Sequence, residues 1–125
     1  MAHPATVRGA RRYRLTGPGA FDALFRLGER REGAWLQLVA APARSDPGRT
    51  GYAIGTKSLR SAVARNRVRR VLREVVARAR PGVAAFDVIL RLKRGCAPED
   101  VRAVAAEAER LLAALVRNDA QGSSR

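Results

Sequence analysis

Apolar residues recur every third and fourth position between Val68 and Ala79: Val68, Val71, Leu72, Val75, Val76 and Ala79. That period predicts a helix with one buried stripe, running from about Ser61 to Arg80 and stopped by Pro81-Gly82. A second stripe, Val101, Val104, Ala108, Leu111, Leu112 and Leu115, predicts a last helix. Pro98-Glu99-Asp100 opens it, with proline in the first turn and carboxylates at its positive end. Phe21, Leu24 and Phe25 share one face of a short helix, with Thr16 as its expected cap, Pro18 in its first turn and Gly28 at its end. Three stretches read as strands: 34–41, 51–56 and 86–93. The last has a continuous apolar centre, Val88 to Leu90, which implies an interior position in a sheet. Residues 42–50 are turn chemistry throughout, so the first two strands are expected to pair as an antiparallel hairpin. The order is α-β-β-α-β-α, an α/β (α+β) two-layer sandwich with helices against a small sheet. Residues 1–13 read as a flexible basic arm, 14–117 as a single domain and 118–125 as a disordered tail.

Charge changes this picture. The chain carries 25 basic against 11 acidic residues, a formal net charge of +14. Such an imbalance predicts attraction to polyanions and salt-sensitive binding. Only Lys57 and Lys93 are lysines. Arginine forks phosphate and stacks on bases, a bias that suits RNA, although a biased genome composition produces the same count. Cys96 is the sole cysteine, so no disulfide forms within the chain, which fits a reducing compartment. No run approaches the roughly 18 apolar residues of a membrane span, and no leader pattern opens the chain. A cytoplasmic protein is expected, with no membrane partner and no protein partner evident.

The charge is concentrated. Residues 57–80 hold nine cations and one carboxylate, Glu74. At about 100° per residue, Val71, Leu72, Val75, Val76 and Ala79 cluster around Val68. Asn66, Arg69, Arg70 and Arg73 spread over the opposite side, and Arg65 and Arg67 straddle the apolar stripe at its N-terminal end. Arg65, Arg69 and Arg73 are like charges at i, i+4, which repel by a few tenths of a kcal/mol per pair. Only Glu74 is placed to relieve Arg70 or Arg78. A solvated surface ordinarily mixes signs; this one is built for a polyanion, and nucleic acid leads.

The segment Ala62-Val-Ala-Arg65-Asn66-Arg67-Val-Arg69-Arg70-Val-Leu-Arg73-Glu74 closely resembles the Arg-Asn-Arg signature of the bacterial ribonuclease P protein subunit. Arg14-Leu15, with Phe21 and Phe25 three residues before Gly28, is similar to that family's N-terminal helix. Gly51-Tyr-Ala-Ile-Gly-Thr-Lys57 and Phe86 to Gly95 are similar to the strands flanking the signature. The resemblance covers about residues 13–116. It implies the family's sandwich, with a left-handed β-α-β crossover around the basic helix, against the general right-handed preference. It also implies 5′ maturation of precursor tRNA by a ribonucleoprotein whose RNA subunit is the catalyst, with Mg²⁺ held mainly by RNA. The implied partners are that catalytic RNA, through Arg65, Asn66, Arg67, Arg69, Arg70 and Arg73, and the single-stranded 5′ leader of the substrate. The leader would lie in a cleft between the sheet and the first helix, floored by Phe21 and Phe25 and edged by Lys57. Two positions depart from the family. Leu38 stands where many members carry a cleft tyrosine, and Thr56-Lys57 replaces paired lysines. Both thin the cleft's polar and stacking groups.

No protein active site is legible. There is no histidine–carboxylate–nucleophile set and no metal-ligand cluster, so no catalytic or metal residue is assigned. The rival readings are a structural RNA-binding protein of ribosomal type, which explains charge and size but not the ordered motifs, and a DNA binder using the basic helix in a major groove. The latter calls for a helix-turn-helix pair or a dimer surface, and neither is visible.

Overall fold

The computed structural model describes residues 13–123. Its elements are α1 (Ala20–Leu27), β1 (Glu29–Glu32), β2 (Leu36–Pro42), β3 (Thr50–Ala53), α2 (Ala62–Arg78), β4 (Phe86–Leu92) and α3 (Val101–Ser123), with short 3₁₀ turns at Gly82–Ala85 and Pro98–Asp100. The four strands form one mixed sheet in the order β1-β2-β4-β3.

Strand β4 is central, as its unbroken apolar run requires, and is buried at every position but Arg91. It pairs antiparallel with β2, Leu38 opposite Leu90, and parallel with β3, Tyr52 opposite Leu90. The expected β2–β3 hairpin is therefore corrected: β4 lies between the two strands. Loop 43–49 spans the end of the sheet instead of turning tightly. Asp87, buried at the start of β4, explains how that loop is held. Its carboxylate accepts from the backbone N–H of Arg49 at 2.9 Å and of Arg44 at 3.3 Å. Strand β1 is an addition to the expected order. Its residues, Glu-Arg-Arg-Glu, lack an apolar alternation, and it pairs antiparallel with β2 at the sheet edge.

Alternation along the strands divides the core in two. Leu36, Leu38, Ala40, Val88, Leu90 and Leu92 face α2 and α3, where Val68, Leu72, Val75 and Val76 meet Val104, Ala108, Leu112 and Leu115. Val39 and Ile89 face the other way, under Leu24, Phe21 and Phe25 of α1. Burying each large aliphatic side chain contributes about 1.5–3 kcal/mol. The large cluster is therefore what anchors α2.

Helix α2 starts where Ser61 caps it, its Oγ accepting from the Ala64 N–H at 3.2 Å. Helix α1 starts later than expected. Gly19, at φ 73°, occupies the cap position, and Thr16 makes no capping bond. The left-handed turn there favours a residue without Cβ. Helix α3 runs through Ser123, so residues 118–123 are helical where a tail was expected. With its amide oxygen turned toward Arg31, Asn118 accepts from both terminal nitrogens of that guanidinium, at 2.9 and 3.0 Å, which holds the last turns against β1. Of the expected arm, residues 1–12 lie outside the described residues. Tyr13 and Leu15 are tied to β3: Thr50 N–H donates to the Tyr13 carbonyl at 2.7 Å, and Leu15 N–H donates to the Thr50 carbonyl at 2.9 Å.

Candidate nucleic-acid interface

The apolar stripe of α2 fixes which way its arginines point. With Val68, Leu72, Val75 and Val76 buried, Arg67, Arg70 and Arg73 are exposed, and Arg65 and Arg69 are half-buried. The three signature residues behave differently. Arg65 turns back, Nη1 donating to the carbonyls of Leu59 at 2.7 Å and Arg60 at 2.9 Å. Asn66 accepts from Arg69 Nη1 at 2.9 Å, steadying that guanidinium. Arg67 is fully at the surface. Among the described residues no carboxylate lies within ion-pair distance of any of these arginines. Glu74 relieves neither Arg70 nor Arg78, and Arg78 pairs instead with Glu109 of α3 at 3.0 Å.

The inner flank of α2 walls a hollow of about 860 Å³ whose other sides are β3, the start of α1 and the Tyr13–Leu15 segment. Five guanidinium groups line it, Arg14, Arg69, Arg70, Arg73 and Arg80, against the single carboxylate of Glu74. Three aromatic side chains join them: Tyr13, Phe21 and Tyr52. Arg80 stacks on the Tyr13 ring with its guanidinium carbon 3.4 Å from the centroid, a favourable cation–π arrangement. Phe21 lies against the bare backbone of Gly51, where any Cβ would collide with its ring. Burial pushes the Tyr52 hydroxyl up to about 12, against the opposing pull of Arg80 and Arg73, so it stays neutral at physiological pH.

A second, shallower hollow lies on the α1 face of the sheet. Phe25, Arg30, Gln37 and Arg91 line it. The register sets Gln37 opposite Arg91 and Glu32 opposite Gln37, so their side chains share a face. Glu32 accepts from Gln37 at 2.6 Å and pairs with Lys93 at 2.9 Å, and these contacts hold its carboxyl below the usual range.

The sequence-expected residues thus divide. Asn66, Arg67, Arg69, Arg70 and Arg73 lie along one open basic helix surface, while Arg65 is spent on the preceding loop. Phe21 and Phe25 are both half-buried on the α1 face, each in a different hollow. Lys57 is exposed in the turn before α2 and lines neither hollow. Leu38 is corrected: it is wholly buried in the core under α2 and α3, on the opposite side of the sheet from α1. Period-two alternation puts Gln37 and Val39 on the cleft face instead. Arg30, Gln37, Arg91 and Tyr13 were not singled out, and Arg80 was counted in the basic segment without being assigned to a site. The alternation of β2 and β4 was the signal available for Gln37 and Arg91; Arg30, Tyr13 and the seating of Arg80 on Tyr13 depend on tertiary contacts. Among the described residues no three His, Cys, Asp or Glu side chains come together to hold a metal ion. No helix there is long and apolar enough to cross a membrane. Burial, seconded by Asp100, raises the Cys96 thiol above its ordinary range, which disfavours the nucleophilic thiolate.

These features define a small α+β sandwich with an arginine-rich helix on the crossover between two parallel strands. The family profile described as Ribonuclease P matches residues 10–116. The chain belongs to the ribonuclease P protein family. It is 36% identical over 118 residues to the ribonuclease P protein component of Acidothermus cellulolyticus, covering 90% of this chain and 97% of that one. It is 31% identical over 120 residues to that of Chromobacterium violaceum, covering 96% and 99%. The fold matches the Staphylococcus aureus RNase P protein with a TM-score of 0.66 at 17% identity, over 86% of this chain and 94% of that one. It matches the Thermotoga maritima RNase P protein at 0.62 and 22% identity, over 83% and 96%.

Proposed function

We propose that this chain is the protein subunit of a bacterial ribonuclease P, working in the cytoplasm on precursor tRNA. One observation carries the reading: five guanidinium groups converge on an open hollow beside α2, and no described carboxylate pairs with any of them. Uncompensated positive charge of that density is relieved by a phosphate backbone. The basic surface of α2, Asn66, Arg67, Arg69, Arg70 and Arg73, three of whose arginines also line the hollow, faces the catalytic RNA. The α1 face takes the single-stranded 5′ leader. Phe21 and Phe25 offer rings on which unpaired bases stack, while Arg30 and Arg91 follow the phosphates. Hydrolysis belongs to the RNA subunit, and Mg²⁺ held mainly by that RNA supplies the metal chemistry. The protein's contribution is positional: it screens phosphate repulsion between two RNAs and holds the leader in line for cleavage.

Reconstitution with a ribonuclease P catalytic RNA tests this directly. At physiological salt and low Mg²⁺, added protein is expected to accelerate removal of the leader. A rate unchanged by saturating protein would leave a structural RNA binder of ribosomal type as the better description.

A further inference from the structure

A second aromatic–arginine pair lies away from both hollows. The guanidinium carbon of Arg94 sits 4.1 Å from the centroid of the Trp35 ring. Trp35 immediately precedes β2, half-buried, its inner side packed on the main core. Its backbone is held on two sides: its N–H donates to the buried Glu107 carboxylate at 2.9 Å, and its carbonyl accepts from Lys93 N–H at 2.8 Å. The indole is therefore a fixed shelf. Arg94 lies on it, exposed, with no carboxylate in ion-pair distance among the described residues. The following residue, Gly95, presses on the carbonyl of Ser58, so closely that a Cβ would come within 2.7 Å. This end of β4 thus abuts the turn that leads into α2 and carries the exposed cations Lys57 and Arg60.

We propose that the Trp35–Arg94 stack is an RNA-binding site, taking one unpaired base on the outer face of the guanidinium. The inference rests on the RNA-binding reading above. A guanidinium held over an indole ring is ordered by it while the rest of its surface stays open to solvent. A nucleobase adds to such a plane by stacking, and Lys57 and Arg60 are available for the phosphates on either side. Charge alone needs neither a ring beneath the guanidinium nor a backbone that holds that ring in place.

Trp35 is the only tryptophan in the chain, so fluorescence excited selectively at tryptophan, beyond tyrosine absorption, reports on this stack. The full-length protein is titrated with a single-stranded oligoadenylate, with the same strand in a duplex, and with inorganic polyphosphate. Fluorescence anisotropy of end-labelled strands measures binding independently. Single strands are expected to change Trp35 emission on binding; polyphosphate, which has charge but no bases, is not. Arg94→Ala and Arg94→Lys are both expected to weaken single-strand binding about tenfold, within the range for loss of one stacked base. Arg94 is exposed, and an unchanged melting temperature in each variant confirms the fold. Binding that saturates without altering Trp35 emission overturns the stack, as does an Arg94→Lys variant that binds like wild type. Absence of single-strand binding by a protein that still accelerates leader removal with the catalytic RNA overturns the stack alone; absence of both defeats the reading it rests on. Repeating the titration with catalytic RNA and with leader-bearing precursor tRNA identifies which of the two supplies the base.

Discussion

Arg65, Asn66 and Arg67 are consecutive, yet their side chains do three different things. Arg65 holds two carbonyls of the approach to α2, Asn66 holds Arg69, and Arg67 is free. Their substitutions are expected to separate in two measurements. Arg67→Ala should lower RNA affinity and reduce the slope of log affinity against log salt by about one. Arg65→Ala should leave that slope nearly intact while lowering stability by about 1–3 kcal/mol, since the Leu59 and Arg60 carbonyls lose their donor. Equal slope changes for the two variants would make Arg65 a phosphate contact after all. Residue identity alone could not divide these roles, because all three share one spacing on one helix; the difference lies in where the preceding loop turns. Leu38 teaches the same lesson on a strand. Displacement by one residue along β2 exchanges the cleft face for the core. The resemblance pointed to Leu38, which β2 turns into the core.

At the scale of elements, a segment was legible wherever one face had to be buried. The stripes of α2 and α3 and the apolar run of β4 all match the structure to within a few residues. Strand β1 was not legible because its residues are charged on both faces, a common composition for an edge. The pairing of β2 with β4, and not with β3, was invisible for another reason. Partner choice depends on which strand offers two apolar faces to neighbours, and loop 43–49 has the same turn residues either way. For α2, orientation of the arginines depends on the buried stripe, so stability and function are coupled there. Leu72→Ala, at a position with no solvent exposure, is expected to cost about 2–5 kcal/mol. Ser61→Ala should cost about 1 kcal/mol through loss of the helix cap. Urea denaturation measures both. The size of the Leu72 effect would fall well below that range if α2 were only loosely docked.

At the scale of the molecule, a net charge of +14 on 125 residues works against compactness as well as for binding. The basic hollow gathers five of those charges with one carboxylate among them. Multivalent anions that occupy it bind the folded state in preference to the unfolded chain and stabilise it by mass action. The melting temperature is therefore expected to rise with added phosphate or sulfate, and to rise more than with chloride at equal ionic strength. Identical curves for the three anions would mean general screening and no site.

The central place of β4 has one more consequence, for a chain still being made. Strands β2 and β3 both wait for residues 86–92 before either gains its main neighbour. Until that stretch has left the ribosome, β2 has only β1 and the underside of α1 beside it, and β3 only the Tyr13–Leu15 segment, so the large core under α2 and α3 lacks its central strand. Assembly is thus deferred until about three-quarters of the protein has emerged, and then joins distant parts of the chain at once, the kind of closure that proceeds slowly. The arginine helix, made earlier, spends that interval without the leucine-rich seat that aims it.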